Sequence, residues 1–294
     1  DHSYGFVNGF NEPEAAFPEA CVPLETALTK FRPQLAVMGV PNDRKNDPSL
    51  EKTVMEHGVP LLIQKFRLRC QEDFDEMLHS GRQYGAPVFV GEFYRLLPFA
   101  ETVRRLLMEE AVGTPEYVQW RCGLNHPYAP WESRYRFLAL EDLAFHHISV
   151  LQSWLDITPE SIFARSFSPR KGAPVTGSLS TLSLVTRGGC LIDHVIDWHR
   201  SAAQTDFFGD FMLEGDRGAL RKKGERLFLT RWKEGTCREV PVSPHGGGNA
   251  LEQAAGYLCG EGERPVTLED FAPVMTVLGG ALDSVKSGKV CRYP

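Results

Sequence analysis

Three short apolar runs constrain this chain more than anything else in it: residues 34–40 (Gln-Leu-Ala-Val-Met-Gly-Val), 60–66 and 87–93. None of them alternates polar with apolar side chains, so each reads as a strand buried on both faces, the pattern of a parallel sheet. Helical stretches separate them. Residues 50–57 form one, stopped by Gly58, and residues 72–84 form another, ending at Gly85. Strand and helix alternating at this length predict an α/β domain with a parallel sheet. Upstream, residues 4–10 read as a short strand, Pro13 opens a helical piece, and residues 24–31 form a short amphipathic helix stopped by Pro33.

The texture changes after about residue 96. A helix over 99–112, a strand over 116–122 and a loop rich in aromatics and arginines (125–136) lead to a long helical stretch, 138–156. Beyond it, residues alternate polar with apolar over 161–168, 178–186, 190–199, 207–214, 227–232 and 237–242. Turn chemistry such as Arg187-Gly188-Gly189 and Gly215-Asp216-Arg217-Gly218 separates some of these strands, which predicts an antiparallel sheet. Helices over 250–259 and 268–287 and a short tail close the chain. Two domains are expected, 1–95 with the parallel sheet and 96–294 of α+β type with a large, mostly antiparallel open sheet.

Composition excludes several classes. The 294 residues carry a net charge of −6 with no basic block interleaved with aromatics, which argues against nucleic acid as a partner. No apolar run approaches a membrane span and no secretory signal opens the chain, so a cytoplasmic protein is expected. The seven cysteines are scattered and form no Cys-x-x-Cys, and they read as reduced thiols.

Chemistry concentrates in the stretch 138–156. Apolar residues recur there three and four apart, as in an amphipathic helix, and Asp142 and His146 lie on the same side of it. A carboxylate beside an imidazole can orient it and raise its basicity, which suits proton transfer near neutral pH. A core histidine satisfied by an aspartate is the plainer alternative. In an open parallel sheet, ligands bind beyond the carboxyl ends of the strands. Pro41-Asn42 and Gln64-Lys65 occupy such ends, as do Tyr94 and Arg95 after the third run. His126, Tyr128, Trp131, Arg134 and Arg136 precede the helix and, with Tyr94 and Arg95, could line a sugar or cyclitol pocket, although each alone is equally a packing or surface residue. Asp193, Asp197 and His199 alternate on one strand face with His194 opposite. One strand cannot close a metal shell, so a paired sheet face is expected and no metal site is assigned.

Collinear motifs give the chain a family resemblance. Val40-Pro41-Asn42, the stretch from Gly58 to Phe66, Phe93-Tyr94-Arg95, Gly113, Trp131 ahead of Asp142-x-x-x-His146, Glu214-Gly215-Asp216-Arg217-Gly218 and residues 264–270 follow one another. In this order and spacing they resemble the Gfo/Idh/MocA oxidoreductases (the glucose-fructose oxidoreductase and inositol dehydrogenase type). The resemblance implies a Rossmann domain followed by a substrate and oligomerisation domain. It also implies NAD or NADP as cofactor and hydride transfer at a hydroxyl or keto carbon of a sugar, cyclitol or related polyol. Lys65 and His146 would be the acid/base pair, with Asp142 beside them. Asn11, Glu12, Pro41, Asn42, Gln64 and Lys65 would face the cofactor, Glu12 favouring NAD through the ribose hydroxyls. Tyr94, Arg95, His126, Trp131 and Arg134 would meet substrate, and a homodimer or homotetramer would form through the large sheet.

The chain departs from the family pattern in places. No Gly-x-Gly-x-x-Gly loop is present, and the chain reads as starting just before the family's second strand, so the first strand and its loop are expected ahead of Asp1. Gln64 and Phe66 stand where the family has glutamate and proline, Lys45 replaces a histidine, the glycines expected near residues 137–139 are missing, and Ser149 replaces an acidic residue. Two other functions are therefore carried forward: a dinucleotide- or sugar-binding regulatory protein, and a lyase or hydrolase working through transient oxidation.

Overall fold

The computed structural model describes residues 22–39, 49–63, 71–126, 128, 132–133, 135–168, 177–200, 205–243 and 248–294. The strand expected over 4–10, the helix expected from Pro13 and the carboxyl ends of the first two parallel strands lie outside them. The described residues form two compact units, one up to Gly91 together with Ala250–Glu269, the other Glu92–Asn249 with Asp270–Pro294.

In the first unit, β1 (Ala36–Met38), β2 (Leu61–Ile63) and β3 (Val88–Val90) pair in parallel in that order. β2 and β3 are buried throughout, as continuous apolar runs require, whereas Val37 of β1 keeps half its surface exposed. A short helical piece, Leu24–Thr26 continued by a π-helical turn Ala27–Phe31, precedes the sheet. Helices α1 (Ser49–Glu56) and α2 (Gln71–Tyr84) follow β1 and β2, and α1 buries Val54 and Met55 while α2 buries Phe74 and Met77. Each is followed by a glycine at positive φ, Gly58 and Gly85, where a side chain would strain the reversal.

The domain boundary expected after residue 95 falls after Gly91, and 250–269 belongs with the first unit rather than the second. Packing explains the return. Ala254 of α5 (Ala250–Leu258) is buried against Leu62 and Phe89, and Tyr257 meets the Phe89 ring edge-on at 5.9 Å. Residues 266–268 then pair with β3, Val90 donating to Val266 and Leu268 to Val88.

The second unit is built on a nine-stranded sheet of order β11-β10-β9-β8-β4-β7-β6-β5-β12. Its strands are β4 (Pro115–Gly123), β5 (Pro159–Phe167), β6 (Leu179–Thr186), β7 (Leu191–Asp197), β8 (Asp210–Gly215), β9 (Gly218–Lys223), β10 (Arg226–Arg231), β11 (Thr236–Val240) and β12 (Cys291–Arg292). The β4–β7 pair is parallel and the other pairs are antiparallel. Burial alternates strictly along β6 and β7, which leaves one sheet face covered and one open. β9 was not expected. Two lysines obscure its pattern, one of which, Lys222, is fully buried and donates to Asp206 Oδ2 (2.9 Å) and to the Gly209 carbonyl (2.7 Å).

Three helices complete the unit: α3 (Pro98–Met108), α4 (Phe145–Trp154) and α6 (Ala272–Ser287). The expected helix over 138–156 is in fact a π-helical turn, Ala139–Ala144, running into α4. Glu141 Oε2 caps its start by accepting from the backbone of Arg136 and Phe137. The expected amphipathic face is absent. Every residue from Asp142 to Leu151 is buried, because α4 is enclosed by the sheet, α3 and α6. Trp120 of β4 anchors it, stacked on Trp154 at 5.3 Å and on His147 at 5.0 Å, and each such aromatic contact adds about 1 kcal/mol beyond area burial.

Candidate active site

The third apolar run, expected to extend to residue 93, stops at Val90. Glu92 breaks it: its Oε1 accepts from the backbone N–H of Tyr94 (2.9 Å) and caps a 3₁₀ turn, Phe93–Leu96. That turn aims three side chains at α4. Glu92, fully buried at its carboxylate, places Oε2 2.7 Å from His146 Nδ1. Tyr94 lies flat on the imidazole, 4.5 Å between ring centres and 14° between planes. Arg95 reaches one turn along α4, where its Nε donates to Ser149 Oγ at 2.6 Å.

This geometry decides what the imidazole can do. A carboxylate only accepts, so an ionised Glu92 pairs with a protonated Nδ1, and in the neutral imidazole of that tautomer the lone pair is on Nε2. Nε2 has no hydrogen-bond partner among the described residues. Phe93 at 5.7 Å and Phe145 at 5.3 Å complete an aromatic collar around the ring. Burial, with Glu92 and Asp142 nearby, raises the Tyr94 phenol far above its usual range, so Tyr94 is a neutral hydroxyl.

Asp142 lies in the π-helical turn that runs into α4. The π-helical turn closes through wider bonds than an α-helix, and the register between residues 142 and 146 is broken at Phe145. Tyr135 Oη donates to Asp142 Oδ1 at 3.2 Å, and the carboxylate hydrogen-bonded to His146 is that of Glu92. Sequence reasoning missed Glu92. Its available signal was an acid directly beyond the carboxyl end of a parallel strand, followed by two aromatics and an arginine.

Arg95 is a buried cation with an open valence. Its guanidinium packs over Phe271 at 5.2 Å, yet Nη2 has no hydrogen-bond partner among the described residues. Burial lowers its pKa to about 10, opposed by Glu92 and Asp270. Ser149, where the resembling family often carries an acid, supplies an oxygen but no charge.

His126 joins a different cluster. Glu132, wholly buried, sits 3.4 Å from His126 Nδ1, 2.9 Å from His199 Nε2 and 3.3 Å from Trp198 Nε1. His199 lies beyond the end of β7 and turns toward Glu132, leaving the alternation expected for it. Asp193 meets Tyr117 Oη at 3.4 Å and His194 meets His147, so these side chains take separate partners. Asn11, Glu12, Pro41, Asn42, Gln64, Lys65, Trp131 and Arg134 lie outside the described residues.

Comparisons with known proteins agree with this architecture. No family model matches the chain. A D-apiose dehydrogenase of Paraburkholderia graminis is 23% identical over 218 residues, 72% of this chain and 57% of the relative, so little more than half of that protein is matched. Among solved structures, WlbA dehydrogenase of Bordetella pertussis, in complex with NADH and UDP-GlcNAcA, superposes with a TM-score of 0.78 at 16% identity, covering 96% of this chain and 87% of that one. An inositol dehydrogenase homologue of Azotobacter vinelandii, complexed with NADH and myo-inositol, gives 0.75 at 14% identity, covering 94% and 84%.

Proposed function

With the fold of the Gfo/Idh/MocA-type oxidoreductases as premise, we propose that this protein is an NAD(P)-dependent oxidoreductase acting on a hydroxyl or keto carbon of a sugar, cyclitol or related polyol. The observation that carries the reading is the buried Glu92–His146 pair, which leaves Nε2 of the imidazole without a hydrogen-bond partner among the described residues. A dehydrogenase must take the hydroxyl proton as hydride leaves the same carbon. His146 Nε2 takes that proton in the oxidative direction and returns it in reduction. Lys65 donates a hydrogen bond to the substrate oxygen and favours the developing alkoxide. Tyr94 and Arg95 meet the rest of the substrate, Tyr94 through its ring and hydroxyl.

The fold supports NAD or NADP, which when bound supplies the hydride acceptor or donor. The parallel order of β1 to β3, with β2 and β3 buried on both faces, is the kind of sheet whose carboxyl edge takes a dinucleotide. Pro41, Asn42, Gln64 and Lys65 follow those strands in sequence, with Asn11 and Glu12 as candidates for the ribose. The open face of the large sheet, bearing Tyr117, Gln119 and Asp193, is our candidate surface for a homodimer or homotetramer, which light scattering would measure. No helix among the described residues is long and apolar enough to cross a membrane.

The test is direct. NAD or NADP should raise the melting temperature of the protein, and reduced nicotinamide should accumulate with members of a sugar and polyol panel. His146→Ala should abolish turnover while leaving cofactor affinity within about twofold. Dinucleotide binding without turnover on any member would instead support the regulatory reading, and unchanged turnover in His146→Ala would remove the imidazole from the reaction.

A further inference from the structure

Glu92 has no counterpart among the motifs that carry the family resemblance, yet it touches the imidazole more closely than any other described group. We propose that Glu92 is a positioning residue: its carboxylate holds His146 as the tautomer protonated at Nδ1, keeping the basic lone pair at Nε2. The assignment rests on the dehydrogenase reading above for its purpose, though not for its geometry.

Both oxygens of Glu92 are committed. Oε1 accepts from the Tyr94 N–H at 2.9 Å and Oε2 from His146 Nδ1 at 2.7 Å, with the carboxylate wholly buried. The Tyr94 ring, stacked at 4.5 Å, blocks one face of the imidazole and limits its rotation. The other titratable groups around the ring leave the role to Glu92. Tyr94 is a neutral phenol. His147, the next residue on α4, is held well below the usual imidazole range by burial and by its neighbour His194, against the raising effect of its hydrogen bond to the Phe207 carbonyl. Arg95 spends its Nε on Ser149, and Asp142 faces Tyr135. From the turn ahead of α6, Asp270 acts on Arg95 and Phe271 packs on Phe145.

Glutamine at position 92 exposes the logic. Its single carbonyl oxygen can serve the Tyr94 N–H or the imidazole, but not both. With the oxygen kept on the cap, the amide NH₂ faces Nδ1 and the proton must move to Nε2. The lone pair then points at the amide, and the base is lost without loss of volume. The same tautomer argument accounts for amide substitution at the buried acid of a serine-protease triad.

The experiment is a long-range ¹H–¹⁵N spectrum of the imidazoles in the full chain without cofactor, with His146 assigned by its disappearance in His146→Gln. The wild type should show the Nδ1–H tautomer, and Glu92→Gln should show Nε2–H. In turnover, Glu92→Gln should lower kcat on the order of 10²- to 10⁴-fold with KM little changed. Glu92→Asp, which keeps the charge and the capping oxygen, should recover part of both signals. An Nε2–H imidazole in the wild type, or one unchanged in Glu92→Gln, overturns the proposal, and the wild-type spectrum decides even where a variant misfolds. Absent turnover with the expected spectra would instead sink the dehydrogenase reading.

Discussion

Arg95 and Ser149 give a stability prediction in which two substitutions are better than one. The guanidinium is buried, and among the described residues its Nε donates to Ser149 Oγ at 2.6 Å while Nη2 has no hydrogen-bond partner. Ser149→Ala removes a bond to a charged group, which costs about 1.5–3 kcal/mol when the buried partner stays behind. For a unit of this size that corresponds to a fall of roughly 4–10 °C in Tm. The second change works in the opposite direction. A pKa lowered to about 10 from the ordinary 12.5 corresponds to about 3 kcal/mol against the charged form in the folded state. Because the folded value is the lower one, this penalty applies at every pH below it and fades only as pH rises through it. Arg95→Met in the Ser149→Ala background deletes the desolvated charge and keeps a long apolar stem against Phe271. The double variant should therefore recover most of the loss, so the two sites should couple in a double-mutant cycle. Urea titration followed by tryptophan fluorescence reads it, since Trp154 lies on the same helix. A Ser149→Ala variant within about 0.5 kcal/mol of wild type, or a double variant less stable than the single, would show that the cation is satisfied by something other than Ser149.

Two further predictions follow from the same core. His194 is fully buried with a pKa lowered to about 3, and it serves as the partner of His147 Nδ1 at 2.9 Å. The unfolded chain binds that proton near pH 6.5 and the folded one does not, so stability is full above 6.5 and is lost as pH falls toward 3, about 2 kcal/mol of it by pH 5. His194→Gln keeps a donor for His147 without titrating, and its acid-unfolding midpoint should move to lower pH by circular dichroism; an unmoved midpoint would mean that His194 is charged in the fold. Gly209 has φ of 79°, and a Cβ there would stand 2.6 Å from the Arg121 carbonyl oxygen and 2.9 Å from Trp120 Nε1. Gly209→Ala should cost about 2–4 kcal/mol in chemical denaturation, whereas a loss under 1 kcal/mol would show that the β8 entry yields freely.

The parallel sheet and the large sheet were legible because burial imposes a pattern on apolar residues. Continuous runs marked β2 and β3, and alternation marked β6 and β7. What escaped were places where a polar side chain does structural work. Lys222 interrupts the apolar face of β9 because two oxygens and the ring of Phe99 receive its ammonium. Glu92 ended a strand that hydropathy would have continued, because it satisfies the first free N–H of the following turn. Residues 250–269 returned to the first unit through contacts with Leu62 and Phe89, which are far away in sequence and leave no local mark.

The same distinction governs the site. Sequence spacing singled out His146 with Asp142, and the π-helical turn ends at Ala144, between the two. The imidazole then takes its carboxylate from 54 residues upstream. Such a pairing has a physical advantage over the local one. A partner on the same helix moves with the imidazole and constrains its rotation weakly, whereas Glu92 is anchored independently by the Tyr94 N–H and by burial in a separate turn. An imidazole held from outside its own helix, with an aromatic ring stacked on one side, presents Nε2 in one direction only. The proton-transfer role proposed above requires that fixed direction.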